Sequence, residues 1–94
     1  MKAEQLTEIL EAAAQQLGVK VQYEMLAAAG PTGGGGLCKV KGEWRVIIDK
    51  KTAPSERASI LADALATMDT DGIFLPPKVR EMVAQRRAAL GKPS

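Results

Sequence analysis

From Ala3 to Leu17 the apolar residues recur at helical spacing. Leu6, Ile9, Leu10, Ala13 and Leu17 fall on one face, while Glu4, Glu8, Glu11 and Gln15 lie away from its centre. This pattern predicts an amphipathic helix over 3–17. Gly18 closes it, because glycine takes the left-handed conformation after a helix without steric cost. At Val19 the period changes to two: Val19, Val21, Tyr23 and Met25 alternate with Lys20, Gln22 and Glu24. Such alternation predicts a half-buried strand over about 19–26.

A glycine-rich connection over 30–36 follows, and then two strand-like runs, 37–41 and 44–50, separated by Gly42-Glu43. A two-residue loop with glycine first suits a type II′ hairpin. In that register Lys41 faces Trp44, Lys39 faces Val46 and Leu37 faces Ile48, with Cys38 opposite Ile47 on the other side. Pro54 enters a helix predicted over about 54–68, with Ile60, Leu61, Ala64, Leu65 and Met68 as its core stripe. Asp69-Thr70-Asp71-Gly72 stops it. Ile73-Phe74-Leu75 forms a short apolar plug, and Pro76-Pro77 starts a last helix over about 77–90, leaving 91–94 as a flexible tail. The order α-β-β-β-α-α predicts one α+β domain over 1–94: an antiparallel three-stranded meander with helices packed on one face.

Charge adds segregation to this picture. The net charge is only +2, yet residues 1–36 carry −2, 37–53 carry +3, 54–72 carry −3 and 73–94 carry +4. The two basic blocks lie against the chain's own acidic blocks, face solvent, or meet an anionic partner. Composition removes several chemistries. Histidine is absent and cysteine occurs once, so one chain can build neither a zinc finger nor a disulfide framework. Aromatic residues make up 3% of the chain (Tyr23, Trp44, Phe74), too few for a stacking surface along a single-stranded nucleic acid. No run approaches the roughly 20 apolar residues of a membrane span. Met1 to Leu10 mixes charge through its apolar positions, unlike a secretory signal, and with the lone thiol this predicts a cytoplasmic protein.

Motifs that invite a ligand fail on inspection. Gly30 and Gly35 have the glycine spacing of a phosphate-binding loop, but Gly36-Leu37 stands where Lys-Ser/Thr is required and a strand follows instead of a helix. With Gly72 at the sixth position of a calcium loop, the first would be Thr67 and the twelfth Lys78, where carboxylates are needed. Cys38 has no histidine to generate a thiolate. It reads as a small strand residue, or as a redox-sensitive one if Lys39, Lys41 or Arg45 lowers its pKa. Asp63 lacks a second acid at helical pairing distance, so acid–base chemistry is not evident.

Three further features stand out. Arg86 interrupts the apolar stripe Val79, Met82, Val83 and Leu90 of the last helix. Either it snorkels beyond the core or its guanidinium meets a carboxylate or a partner chain. Arg80 and Arg87 share its flank as a basic ridge. Ala58, Ala62 and Ala66 line one side of the preceding helix, where small residues allow close approach by another element of the chain or by a second copy.

The stretch from Gly35 to Val83 is similar to a family of small uncharacterised bacterial cytoplasmic proteins. The matching pieces are Gly35-Gly36-Leu37-Cys38-Lys39-Val40-Lys41-Gly42, Val46-Ile47-Ile48-Asp49-Lys50, Leu61-Ala62-Asp63-Ala64-Leu65 and Leu75-Pro76-Pro77-Lys78-Val79-Arg80. That resemblance implies an architecture and no activity. More remotely, strand–strand–Asp49–helix resembles the core of ImmA/IrrE-type metallopeptidases, whose helix bears His-Glu-x-x-His. Laid on this chain, the motif falls on Ala62-Asp63-Ala64-Leu65-Ala66. The likeness therefore implies a scaffold without its metal ligands.

These observations predict a non-catalytic protein-interaction module that self-associates as a homodimer or meets another protein, with no cofactor and no membrane contact. The candidate surface comprises Gly35, Gly36, Cys38, Lys39, Arg45, Arg80, Arg86 and Arg87, and the candidate self-association stripe Ala58, Ala62 and Ala66. An anion or nucleic-acid binder using the basic hairpin and last helix is the alternative. A small thiol-dependent enzyme or redox sensor is the third.

Overall fold

In a computed structural model describing residues 2–25 and 35–91, the chain folds as α1 (Ala3–Gln16), β1 (Lys20–Glu24), β2 (Gly35–Val40), β3 (Glu43–Asp49), α2 (Pro54–Ala66) and α3 (Pro77–Gly91). The three helices, three strands and their order follow from the periodicities above. The expectations for 30–34, for the tail beyond Gly91 and for the Leu90 side chain lie outside the described residues.

The sheet is not an antiparallel meander. Its strand order is β1-β3-β2, with β1 parallel and β2 antiparallel to β3. The most apolar run, Val46-Ile47-Ile48, thus takes the centre, where both of its edges are hydrogen-bonded. The strands carrying Lys20, Gln22 and Glu24 or Gly35 and Gly36 take the edges. Ten residues, 25–34, separate β1 from β2. At roughly 3.3 Å per residue that is ample to span the two strand spacings between the edges.

The hairpin turn falls one residue earlier than glycine placement alone suggests. Lys41 (φ 51°) and Gly42 (φ 80°) are both left-handed, which is a type I′ turn. Val40 then opposes Glu43, Lys39 opposes Trp44, Cys38 opposes Arg45 and Leu37 opposes Val46. Each pairing moves by two positions from the expected register, so every side chain keeps its face. Gly35 and Gly36, expected in the loop, are the first residues of β2.

The core lies between one face of the sheet and the helices. Val46 and Ile48 are fully buried there against Leu10, Leu61 and Leu65, with Val21, Tyr23 and Leu37 packed around them. Helix α2 occupies the middle of the helical layer, packing on α1, on α3 and on the sheet. Val79 and Val83 bury the inner stripe of α3. The Thr7 hydroxyl joins two elements, lying 2.8 Å from the Ala3 carbonyl oxygen and 3.2 Å from that of Pro54. No helix among the described residues is long and apolar enough to cross a membrane.

Candidate interaction face

The strand period places alternate side chains on the sheet's second face. Four rows cross it: Glu43 and Val40; Lys20, Arg45 and Cys38; Gln22, Ile47 and Gly36; then Glu24 and Asp49. Cys38, Val40 and Ile47 are the apolar side chains here, and none belongs to the core cluster. A Cβ added at Gly36 would meet nothing within 4 Å. Among the described residues this face is uncovered.

Glu43 organises one end of it. Its carboxylate lies 3.1 Å from Lys20 Nζ on the neighbouring strand and 3.1 Å from the Arg45 guanidinium on its own. Hydrogen bonds from Lys20, and then from Arg45, hold the Glu43 carboxyl below the ordinary glutamate range. Among the described residues, Arg45 Nε is buried without a hydrogen-bond partner. At the opposite end Asp49 Oδ1 accepts the Lys51 N–H at 2.9 Å, which turns the chain out of the sheet toward α2.

The hairpin's other face carries a cross-strand pair. Lys39 Nζ stands 5.2 Å from the centroid of the Trp44 ring, a cation–π arrangement, and Trp44 is 40% exposed. Lys39 thus projects from the core-side face, away from Cys38 and Arg45. The sequence-level surface divides here: Gly36, Cys38 and Arg45 come together on the uncovered face with Gly35 beginning the same strand, and Lys39 does not join them.

The arginines of α3 bind the chain itself. Arg86 meets a carboxylate instead of snorkelling, its Nη1 lying 2.7 Å from Asp63 Oδ1 and 3.0 Å from Ser59 Oγ. Arg87 donates to the carbonyl oxygens of Ala66 and Met68 and to the Thr70 hydroxyl. Arg80 donates to the Ile73 carbonyl oxygen at 2.8 Å. The expected basic ridge is therefore a row of clamps on α2 and on the segment that follows it. Ala58, Ala62 and Ala66 are at most 4% exposed, covered by the chain's own neighbours. Their small size is used for internal helix packing.

At the positions where the remote likeness would lay a zinc motif, Ala62 and Ala66 are buried methyl side chains and Asp63 pairs with Arg86. Methyl side chains donate no lone pair, so these residues do not fit a zinc ion. Among the described residues no group of three or more His, Cys, Asp or Glu is arranged to hold a metal.

A cleft of about 370 Å³ that no sequence motif singles out is lined by Glu4, Thr7, Glu8, Glu11, Tyr23, Pro54 and Arg57. The Tyr23 hydroxyl donates to Glu11, and the Arg57 guanidinium carbon lies 5.0 Å from the ring centroid. Burial, reinforced by the bond to the Glu11 carboxylate and by its charge, pushes the Tyr23 hydroxyl up to about 12. The helical spacing of Glu4, Glu8 and Glu11 was the available signal. Strand pairing with β3, which brings Lys20, Glu24, Ile47 and Asp49 onto one face, had none. No family model, no curated protein and no solved structure matches this chain.

Proposed function

We propose that this chain is a non-catalytic interaction module that associates with a second copy of itself. The observation that carries the reading is the one-sided sheet: helices cover one face, while Ile47, Cys38, Val40 and Gly36 stand on the other with no described element over them. Apolar side chains with charge at both ends of the strands suit a protein-binding patch, which combines apolar contact with a polar rim. The chain's chemistry agrees. It holds no histidine, its single thiol lies half-buried on a strand, and Asp63 is engaged by Arg86. The lone cysteine also suits a reducing cytoplasm.

The alternative, an anion or nucleic-acid binder, draws less support from the geometry. Arg45, Arg80, Arg86 and Arg87 all donate to acceptors of the same chain. Lys39 and Lys41 at the hairpin are left as its main cations. Light scattering over a concentration series tests the leading reading: mass should rise reversibly toward a dimer. A strict monomer at millimolar protein removes it, and a salt-sensitive shift of DNA or RNA at low ionic strength would favour the alternative.

A further inference from the structure

We infer that the uncovered sheet face is a self-complementary interface on which two copies stack across a two-fold axis lying in the face and perpendicular to the strands. This rests on the self-association reading and names its surface. Along the strands the face changes sign: Lys20 and Arg45 form one row, Gln22, Ile47 and Gly36 an uncharged middle row, Glu24 and Asp49 the last. The Lys20–Arg45 and Glu24–Asp49 rows stand four residues apart, about 13 Å, so they act as separate charge sets. Glu43 bridges Lys20 and Arg45, leaving that end net positive. The other end holds two carboxylates, and the chain leaves the sheet beyond them at Lys50 and Lys51.

A two-fold axis across the strands reverses strand direction between copies. Each positive row then faces the partner's carboxylates, and Ile47 meets its own counterpart at the axis over the flat ground of Gln22 and Gly36. An axis parallel to the strands would set like charge on like, so the same pattern that favours the first arrangement opposes the second. Size sets the strength. Three strands of five to seven residues present roughly 300 Å² per copy, well under the roughly 800 Å² of a stable complex. The pairing is therefore reversible and concentration-dependent.

Two charge-swapped variants test this in sedimentation equilibrium. Lys20→Glu with Arg45→Gln makes the positive row negative. Glu24→Lys with Asp49→Asn makes the acidic row positive while keeping the side-chain oxygen that turns Lys51. Each variant alone should associate at least about tenfold more weakly than the natural chain, and an equimolar mixture should recover the natural affinity. If the natural chain dimerises and both variants dimerise as well as it does, self-association stands and this surface is overturned. If the natural chain stays monomeric, both readings fall. Alkylation of Cys38 in the unaltered chain gives an independent readout should a variant unfold. Its rate should drop several-fold as dimer forms, and an unchanged rate in the dimer overturns the assignment.

Discussion

Arg87 Nε lies 3.1 Å from the carbonyl oxygen of Ala66, the last residue of α2. Its second nitrogen reaches the Met68 carbonyl oxygen and the buried Thr70 hydroxyl. A helix ends with carbonyls that have no intrahelical donor and with partial negative charge, and α2 has no basic residue of its own in its last turn. A planar cation from α3 serves both needs and fixes where α3 crosses.

Arg87→Ala should therefore lower unfolding free energy by about 1–3 kcal/mol in urea. Arg87→Lys should recover only part of that, since an ammonium cannot reproduce the fork. A loss under about 0.5 kcal/mol in the alanine variant would mean that water satisfies those carbonyls equally well.

The neighbouring pair behaves differently. Arg86 and Asp63 are 35% and 52% exposed, so solvent screens their attraction. A double-mutant cycle on Arg86→Ala and Asp63→Ala should give a coupling of about 0.2–1 kcal/mol, falling with salt. A coupling above about 2 kcal/mol would show the pair to be far better shielded than its exposure indicates.

Tyr23 is the only tyrosine, so absorbance at alkaline pH follows it alone. Its raised pKa stabilises the fold fully below pH 10, its ordinary value, and that contribution is lost as pH rises from 10 toward 12. The tyrosinate midpoint should lie near 12 and fall in Glu11→Gln, though not all the way to 10, because burial is the larger cause. A midpoint at 10 in the folded chain would contradict this environment.

Lys41 pays no part in the core, yet it holds φ at 51°. A left-handed conformation costs an ordinary L-residue about 1 kcal/mol, and Asn-Gly is the favoured type I′ pair. Lys41→Asn should stabilise by about 0.5–1 kcal/mol, and Gly42→Ala should destabilise by a similar amount. Thermal unfolding checks both, and the opposite signs would refute the turn assignment.

Local pattern and long-range pairing differ in how far the chain announces them. The helical stripe of Leu6, Leu10 and Ala13, and the alternation of Val46 and Ile48, report which face of each element is buried, because burial follows period. Gly18 and Pro54 mark boundaries through backbone conformation, so they too were readable. Period says nothing about which strand lies beside which, so the parallel pairing of Val21 with Val46 was invisible. Arg86 broke the stripe of α3 visibly, but its partner Asp63 lies 23 residues away and no local rule connects them. Cys38 and Arg45 were grouped in one candidate surface together with Lys39, yet only the register pairs them side by side on the uncovered face and sends Lys39 to the other.

A dilution series of amide NMR spectra tests the central claim most directly. As concentration rises, the amides of Lys20, Gln22, Gly36, Cys38, Arg45 and Ile47 should shift together with one midpoint, while those of α2 and α3 stay still. Shifts confined to the helices, or none at millimolar protein, would contradict it.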